Sequence, residues 1–174
     1  MIAKIDILAL NRHEAGALVP WLAGPAGDGG PSLDQRPGEQ WPDLARRGFA
    51  AGGFELSLGG FFAGLTKLGP KWVVVTDGCD GAYVSAGEGF SHCPAPHVHV
   101  VGTAGAGDAF NSTFAAHIAS SSPAEEVVLA AATNAASVIS HLDTQTGLLG
   151  RTELQARIAE QREKLKLRHG KTVM

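Results

Sequence analysis

In the stretch "VVGTAGAGDAF" of this 174-residue chain, three glycines and several small residues lead to one carboxylate, Asp108, and then an apolar helical run. Glycines at 105 and 107 leave backbone N–H groups unobstructed, and a helix N-terminus adds about half a positive charge. A turn of this kind can cradle phosphate or a transferring phosphoryl group. Asp108 has two readings. As a first-turn acid it stabilises the helix dipole by roughly 0.3–1 kcal/mol. As a general base it could accept the proton of an attacking hydroxyl, a contribution of about 10²–10⁴-fold in rate. The N–H groups around Ala106 and Gly107 would then offset charge developing on the transferred group. An acid and an anion cradle within four residues suit phosphoryl transfer.

Two other nucleotide chemistries lack their residues. A P-loop needs G-x-x-x-x-G-K-[ST], and no such Lys-Ser/Thr pair follows these glycines. A dinucleotide fingerprint needs a third glycine near Thr113 and an acid at the end of the next strand; neither is present, which argues against an oxidoreductase.

The elements that must position these residues read as alternating strands and helices. Residues 5–10, "IDILAL", form a short apolar run ending in a polar helix start, "NRHEAGALV". Residues 20–53 are dense in Gly and Pro, which predicts a long loop or partly disordered insertion, or a lid over a site. "FELSLGGFFAGLTKLG" predicts a weak helix, since each internal glycine costs roughly 1 kcal/mol relative to Ala. "KWVVVTDG" predicts a strand buried on both faces. "GAYVSAGEGFSHCPA" predicts a hairpin turning at 87–89, and "HVHVVG" a further strand. Phe110, Phe114, His117 and Ile118 share one face of the helix that Asp108 opens, and "SSSP" stops it. The next helix starts at Pro123 with a stripe of Val127, Ala131, Ala135, Val138 and Leu142. Residues 151–174 predict a final helix. The pattern is that of an α/β layered, Rossmann-like domain with a mostly parallel sheet.

Several stretches together resemble a known family. "GTAGAGDAFNSTF" resembles the signature D-T-x-G-A-G-D-x-F of the ribokinase-like (PfkB) carbohydrate kinases. "LNRHEA" resembles the family's N-x-x-E motif on Asn11 and Glu14, and "VVVTDGCDGAYV" its T-x-G-x-x-G turn on Thr76, Gly78 and Gly81. "AAATNAASVI" resembles the late helix whose Asn, here Asn134, faces the nucleotide. The four motifs fall in the family's order and cover most of residues 1–147. The resemblance implies ATP-dependent phosphorylation of a hydroxyl on a sugar, nucleoside or related small molecule. Asp108 would be the base and Gly105, Ala106 and Gly107 the anion hole. Asn11 and Glu14 would organise Mg²⁺ and the phosphates through water, since Mg²⁺ prefers oxygen ligands and keeps several waters. Thr76, Gly78, Gly81 and Asn134 would line the nucleotide. Spacing alone also leaves Asn11 as a helix N-cap and Glu14 as a first-turn acid.

Gly102 stands where the family has its first Asp, a side chain associated with a monovalent-cation site, so the implication of potassium activation is lost. Thr113 stands where the family has a small residue, often Gly. The chain starts where the family's second half starts, so residues 1–150 are expected to be the C-terminal, nucleotide-binding and catalytic part of a ribokinase-like domain, with its N-terminal part missing. The residues that read the sugar would lie mostly in that part. A sheet edge or face is then expected to stand open, for a complementing N-terminal half or for a second copy in a homo-oligomer. A catalytically incomplete nucleotide-binding or oligomerisation module of the same fold is the competing reading.

Composition bounds the remaining classes. Fourteen basic and seventeen acidic residues give −3, which does not advertise nucleic acid as a partner. The charge is uneven: residues 151–174 hold seven basic and three acidic residues, +4, which leaves −7 elsewhere. No apolar run is long enough to cross a bilayer, and residues 1–15 lack the core of a signal peptide. Cys79 and Cys93 form no metal spacing or disulfide framework and fit a reducing, cytoplasmic setting. The histidines show no close metal-binding set, and His92, His97 and His99 are expected at the surface.

Overall fold

The computed structural model describes residues 2–24, 38–87 and 89–171. The chain divides into two compact units. The first comprises Met1–Asp77, Tyr83–His92 and His169–Met174; the second comprises Gly78–Ala82 and Cys93–Arg168.

The first unit is built on a five-stranded sheet. Its strands are β1 (Ile7–Asn11), β4 (Trp72–Thr76), β5 (Ala82–Ser85), β6 (Gly89–Cys93) and β7 (Arg168–Lys171), in that spatial order. β1 and β4 run parallel in register from Ile7↔Trp72 to Asn11↔Thr76. β5 and β6 are neighbours joined by only residues 86–88, a connection too short for anything but an antiparallel hairpin. The sheet is therefore mixed. Val73, Val74 and Val75 are fully buried, as their uninterrupted apolar run requires. β1 is an edge strand and only half-buried.

Helices α1 (Arg12–Ala23), α2 (Asp43–Arg47) and α3 (Leu58–Lys67) belong to this unit, with a hairpin of β2 (Phe49–Ala51) and β3 (Phe54–Leu56). The Gly/Pro-rich segment is not the long loop expected of it. Its start completes α1 and its end supplies α2, β2 and the turn to β3; residues 25–37 lie outside the described residues. The glycines and prolines hide a short helical period. Trp41, Leu44 and Ala45, at i, i+3 and i+4, enter the core with Phe49, Phe61, Phe62 and Phe90. Phe49 and Phe61 pack with ring centroids 4.7 Å apart. Strand β3 also takes the first residues of the helix expected from Phe54, and Ser57 caps α3 by accepting the Gly60 N–H at 3.0 Å. His92 is buried, against expectation, with its ring 4.8 Å from that of Tyr83. The period-two pattern of β6 turns it inward. His97 and His99 are exposed.

The second unit is helical. Helices α4 (Ala106–Ala119) and α5 (Ala124–Val138) pack on each other, and α6 (Arg151–Lys164) packs on α5. Phe110 and Phe114 are buried on α4, and eleven of the fifteen residues of α5 are buried. The stripe read for α5 ends early: the helix stops at Val138, and Leu142 is 83% exposed in the loop beyond it. The strand expected at "HVHVVG" does not form. The N–H groups of Val101 and Gly102 go instead to the carbonyl of Ile139 at the end of α5, at 2.8 and 3.2 Å. The last helix stops at Lys164 rather than running to the C-terminus, and Arg168–Lys171 become strand β7.

Candidate active site

Asn11 and Thr76 are the last residues of two parallel strands and register partners. The C-terminal ends of parallel strands are where α/β sheets bind ligands. Asn11 also starts α1. Its Oδ1 accepts the Glu14 N–H at 2.9 Å, and its own N–H donates to Glu14 Oε2 at 2.8 Å. This is a capping box, so the helix-start reading of both residues holds in the structure. The box fixes the two side chains and uses one Glu14 oxygen. Both residues are exposed, so two oxygen-bearing side chains are held side by side. That donor set fits a hydrated Mg²⁺ better than direct, all-protein coordination.

The residues following these two, Arg12 and Asp77, form an ion pair the motifs did not announce. Arg12 Nη1 donates to Asp77 Oδ1 and Oδ2 at 3.3 and 3.2 Å, and its Nη2 to Asp43 Oδ2 at 3.4 Å. Partial burial pulls against the Arg12 charge. The attraction and hydrogen bonds of Asp77, then Asp43, outweigh it and hold the guanidinium above its ordinary pKa.

In the second unit, Gly78 and Gly81 close a turn, with the Gly81 N–H donating to the Gly78 carbonyl at 3.1 Å. Gly81 has φ +96°, and a Cβ there would collide with the carbonyl oxygen of Cys93. Only glycine fits.

Gly105 caps α4 in the left-handed region, φ +80°. A Cβ there would lie 2.8 Å from Thr144 Cβ. The Ala106 N–H reaches the Thr103 carbonyl at 3.5 Å, and the Gly107 and Asp108 N–H groups find no acceptor among the described residues. These are the unpaired donors of a helix N-terminus. Asp108 itself is exposed, and its carboxylate has no partner among the described residues. Free N–H groups and an exposed acid thus stand within the first turn of α4, and Thr144 walls the Gly105 cap, a contact that the sequence alone did not mark.

Thr144 is carried by the loop after α5. Asp143 Oδ1 accepts the N–H groups of Gln145 and Thr146 at 2.9 and 2.7 Å. Hydrogen bonds from the Thr146 side chain, then from the Thr146 and Gln145 backbone, hold the Asp143 carboxyl at a pKa of about 2. An Asp followed by Thr three residues on is a recognisable turn signal and could have marked this loop.

Asn134 is buried. Its Nδ2 donates to Thr113 Oγ1 at 2.8 Å, and its Oδ1 accepts the Leu149 N–H at 3.0 Å. It lines a cavity of about 380 Å³ with Ser112, Ala116, Leu149 and Arg151. Its carboxamide is engaged on both sides by the protein itself.

Known proteins resemble this chain in sequence over a short stretch and in fold. Along the curated aminoimidazole riboside kinase of Salmonella typhimurium the chain is 50% identical over 46 residues, 26% of this chain and 14% of that one. The fold matches the crystal structure of Thermotoga maritima ribokinase with a TM-score of 0.66 at 23% identity, covering 91% of this chain and 43% of that one. It matches Arabidopsis thaliana ribokinase, solved with ribose and ATP, with a TM-score of 0.63 at 23% identity, covering 90% and 42%. The chain thus spans less than half the length of these relatives. The description "pfkB family carbohydrate kinase" matches residues 62–149, half of the sequence, and these include the Thr76–Gly81 turn, the Gly105–Asp108 cradle and Asn134. With that stretch matched, the chain belongs to the pfkB family of carbohydrate kinases.

Proposed function

We propose that this chain carries the phosphoryl-transfer half of an ATP-dependent kinase acting on a hydroxyl of a sugar or nucleoside. The observation that carries the reading is the α4 N-terminus, where Gly105 turns the backbone so that free N–H groups and the Asp108 carboxylate stand within one helical turn. The substrate hydroxyl gives its proton to Asp108 as its oxygen bonds to the γ-phosphorus, and the bond to the ADP oxygen breaks. The N–H groups of Gly107 and Asp108 take up the charge on the phosphoryl oxygens. Asp108 then returns its proton to water. Asn11 and Glu14 would hold Mg²⁺ through water, and Mg²⁺ would supply neutralisation of the phosphate charge. Thr76, Gly78 and Gly81 would line the nucleotide. The two cysteines are free in the fold, which suits a cytoplasmic setting.

The competing reading, a nucleotide-binding module that does not turn over alone, is favoured by one observation: the chain covers 43% of the ribokinase it resembles. The half-buried edge strand β1 is then the surface where a complementing part of a family chain, or a second copy, would add. Calorimetric titration with Mg·ATP tests the shared claim. Saturable binding is expected, and no heat at millimolar Mg·ATP would overturn it. ADP release with a panel of sugars and nucleosides, with and without a complementing family fragment, separates the two readings.

A further inference from the structure

We propose that Arg12 and Asp77 are the positioning pair of the phosphate end of this site, holding the ends of β1 and β4 so that Asn11, Glu14 and Thr76 act together. This rests on the nucleotide reading above. The ladder between the two strands ends at Asn11↔Thr76. Beyond it the chains part: one enters α1, the other the turn at Gly78–Asp80. Past this last pair the register of β1 and β4 holds no further partners to keep the residues that follow, among them Glu14, aligned with Thr76. The first residue after each strand supplies the tie, one Arg12 guanidinium nitrogen bridging both Asp77 oxygens.

The tie is well placed to be rigid. The Arg12 side chain is 42% exposed, but its partner Asp77 is only 8% exposed and so shielded from water, whereas Asp43 is 40% exposed and its contact correspondingly weaker. Asp43 also receives Arg46 and Arg47, at 3.5 and 2.7 Å, which anchors the Arg12 fork to α2 from its other side. Pairing serves the chemistry as well as the geometry. Asp77 follows Thr76 directly, and an unpaired carboxylate there would repel the phosphates; Arg12 cancels that charge. A lysine would restore the charge but not the planar fork.

The test compares Mg·ATP with adenosine, which carries no phosphate, on wild type, Arg12→Gln, Arg12→Lys and Asp77→Asn. The expected result is an affinity loss of about tenfold or more for Mg·ATP in Arg12→Gln and Asp77→Asn, the size of a charged hydrogen bond. Adenosine affinity stays within about twofold, and Arg12→Lys falls between. General destabilisation would weaken both ligands alike, and that result overturns the proposal, as does wild-type Mg·ATP affinity in either single variant. Amide hydrogen exchange of the same proteins separates this proposal from the nucleotide reading. If wild type fails to bind Mg·ATP, the nucleotide reading falls. Faster exchange confined to residues 11–14 and 76–78 in Asp77→Asn then supports the pair, and unchanged exchange there overturns it.

Discussion

The buried amide of Asn134 donates to the Thr113 hydroxyl at 2.8 Å, and its oxygen accepts the Leu149 N–H at 3.0 Å. One side chain on α5 therefore ties α4 to the loop that leads into α6. That loop also carries Thr144, which walls the Gly105 cap. The position where relatives are expected to hold a small residue is here an acceptor, and it keeps Asn134 turned into the protein.

Thr113→Val should remove the acceptor at nearly constant volume and leave a buried Nδ2 unpaired. The expected loss is about 1–3 kcal/mol of folding stability. Thr113→Ser keeps the hydroxyl and should lose about 1 kcal/mol or less, chiefly the missing methyl. Urea unfolding midpoints check both, and equal midpoints for Val and wild type would show that the bond contributes nothing.

The two cradle glycines should respond oppositely to alanine. At Gly105 an added Cβ meets both the left-handed backbone and Thr144, so Gly105→Ala should lose at least about 1–2 kcal/mol. At Gly107 nothing lies within 4 Å of an added Cβ, and alanine is the better helix former, so stability should hold or rise slightly. The same methyl stands among the free N–H groups, so Mg·ATP affinity should fall. Thermal melts beside calorimetry would show whether stability and binding separate in this way.

Asp108→Asn isolates the base. The side chain is exposed and without a partner among the described residues, so the melting temperature should hardly move. Mg·ATP should still bind, while phosphorylation of an accepting sugar or nucleoside should drop by about 10²-fold or more. Equal turnover of the variant and wild type would remove Asp108 from the reaction.

The glycine turn and the acid that open α4 were readable because their signal is local. Gly105 to Asp108 are contiguous, and a glycine turn before an apolar helix has few uses. β4 was readable for a similar reason, since three consecutive valines bury a strand on both faces. The failures share a different cause. Alternation at "HVHVVG" predicted a ladder, yet its N–H groups found a helix-end carbonyl some forty residues later in the chain. The glycines and prolines before β2 masked Trp41, Leu44 and Phe49, whose place in the core depends on partners far away in sequence. Arg12–Asp77 and Asn134–Thr113 are long-range pairs of ordinary residues, so no spacing rule marks them.

The two thiols should differ sharply in reactivity. Cys79 is exposed in the Gly78–Asp80 turn, whereas Cys93 is buried, and its burial raises the thiol pKa to about 12. The thiolate is the reactive form. A native-state thiol titration at pH 8 should therefore count one group, lost in Cys79→Ser, with the second appearing only on unfolding. Two fast groups would contradict the buried placement of Cys93.

Asp143 gives the loop behind the cradle a defined acid limit. Hydrogen bonds from Thr146 and Gln145 depress its carboxyl from 3.8 to about 2. A depressed carboxylate stabilises the folded state fully above its unfolded value near 3.8, and that contribution is lost as pH falls through about 2. The Thr146 amide resonance should thus keep its position well below pH 3.8 and titrate near 2. In Asp143→Ala the amide should show no such titration, and its hydrogen exchange should be faster at neutral pH. Because Thr144 rides on the same turn, that variant should also loosen the Gly105 cap and weaken Mg·ATP binding. A wild-type midpoint at the ordinary carboxyl value would mean that the turn is not holding Asp143, and the wall of the cradle would lose its support.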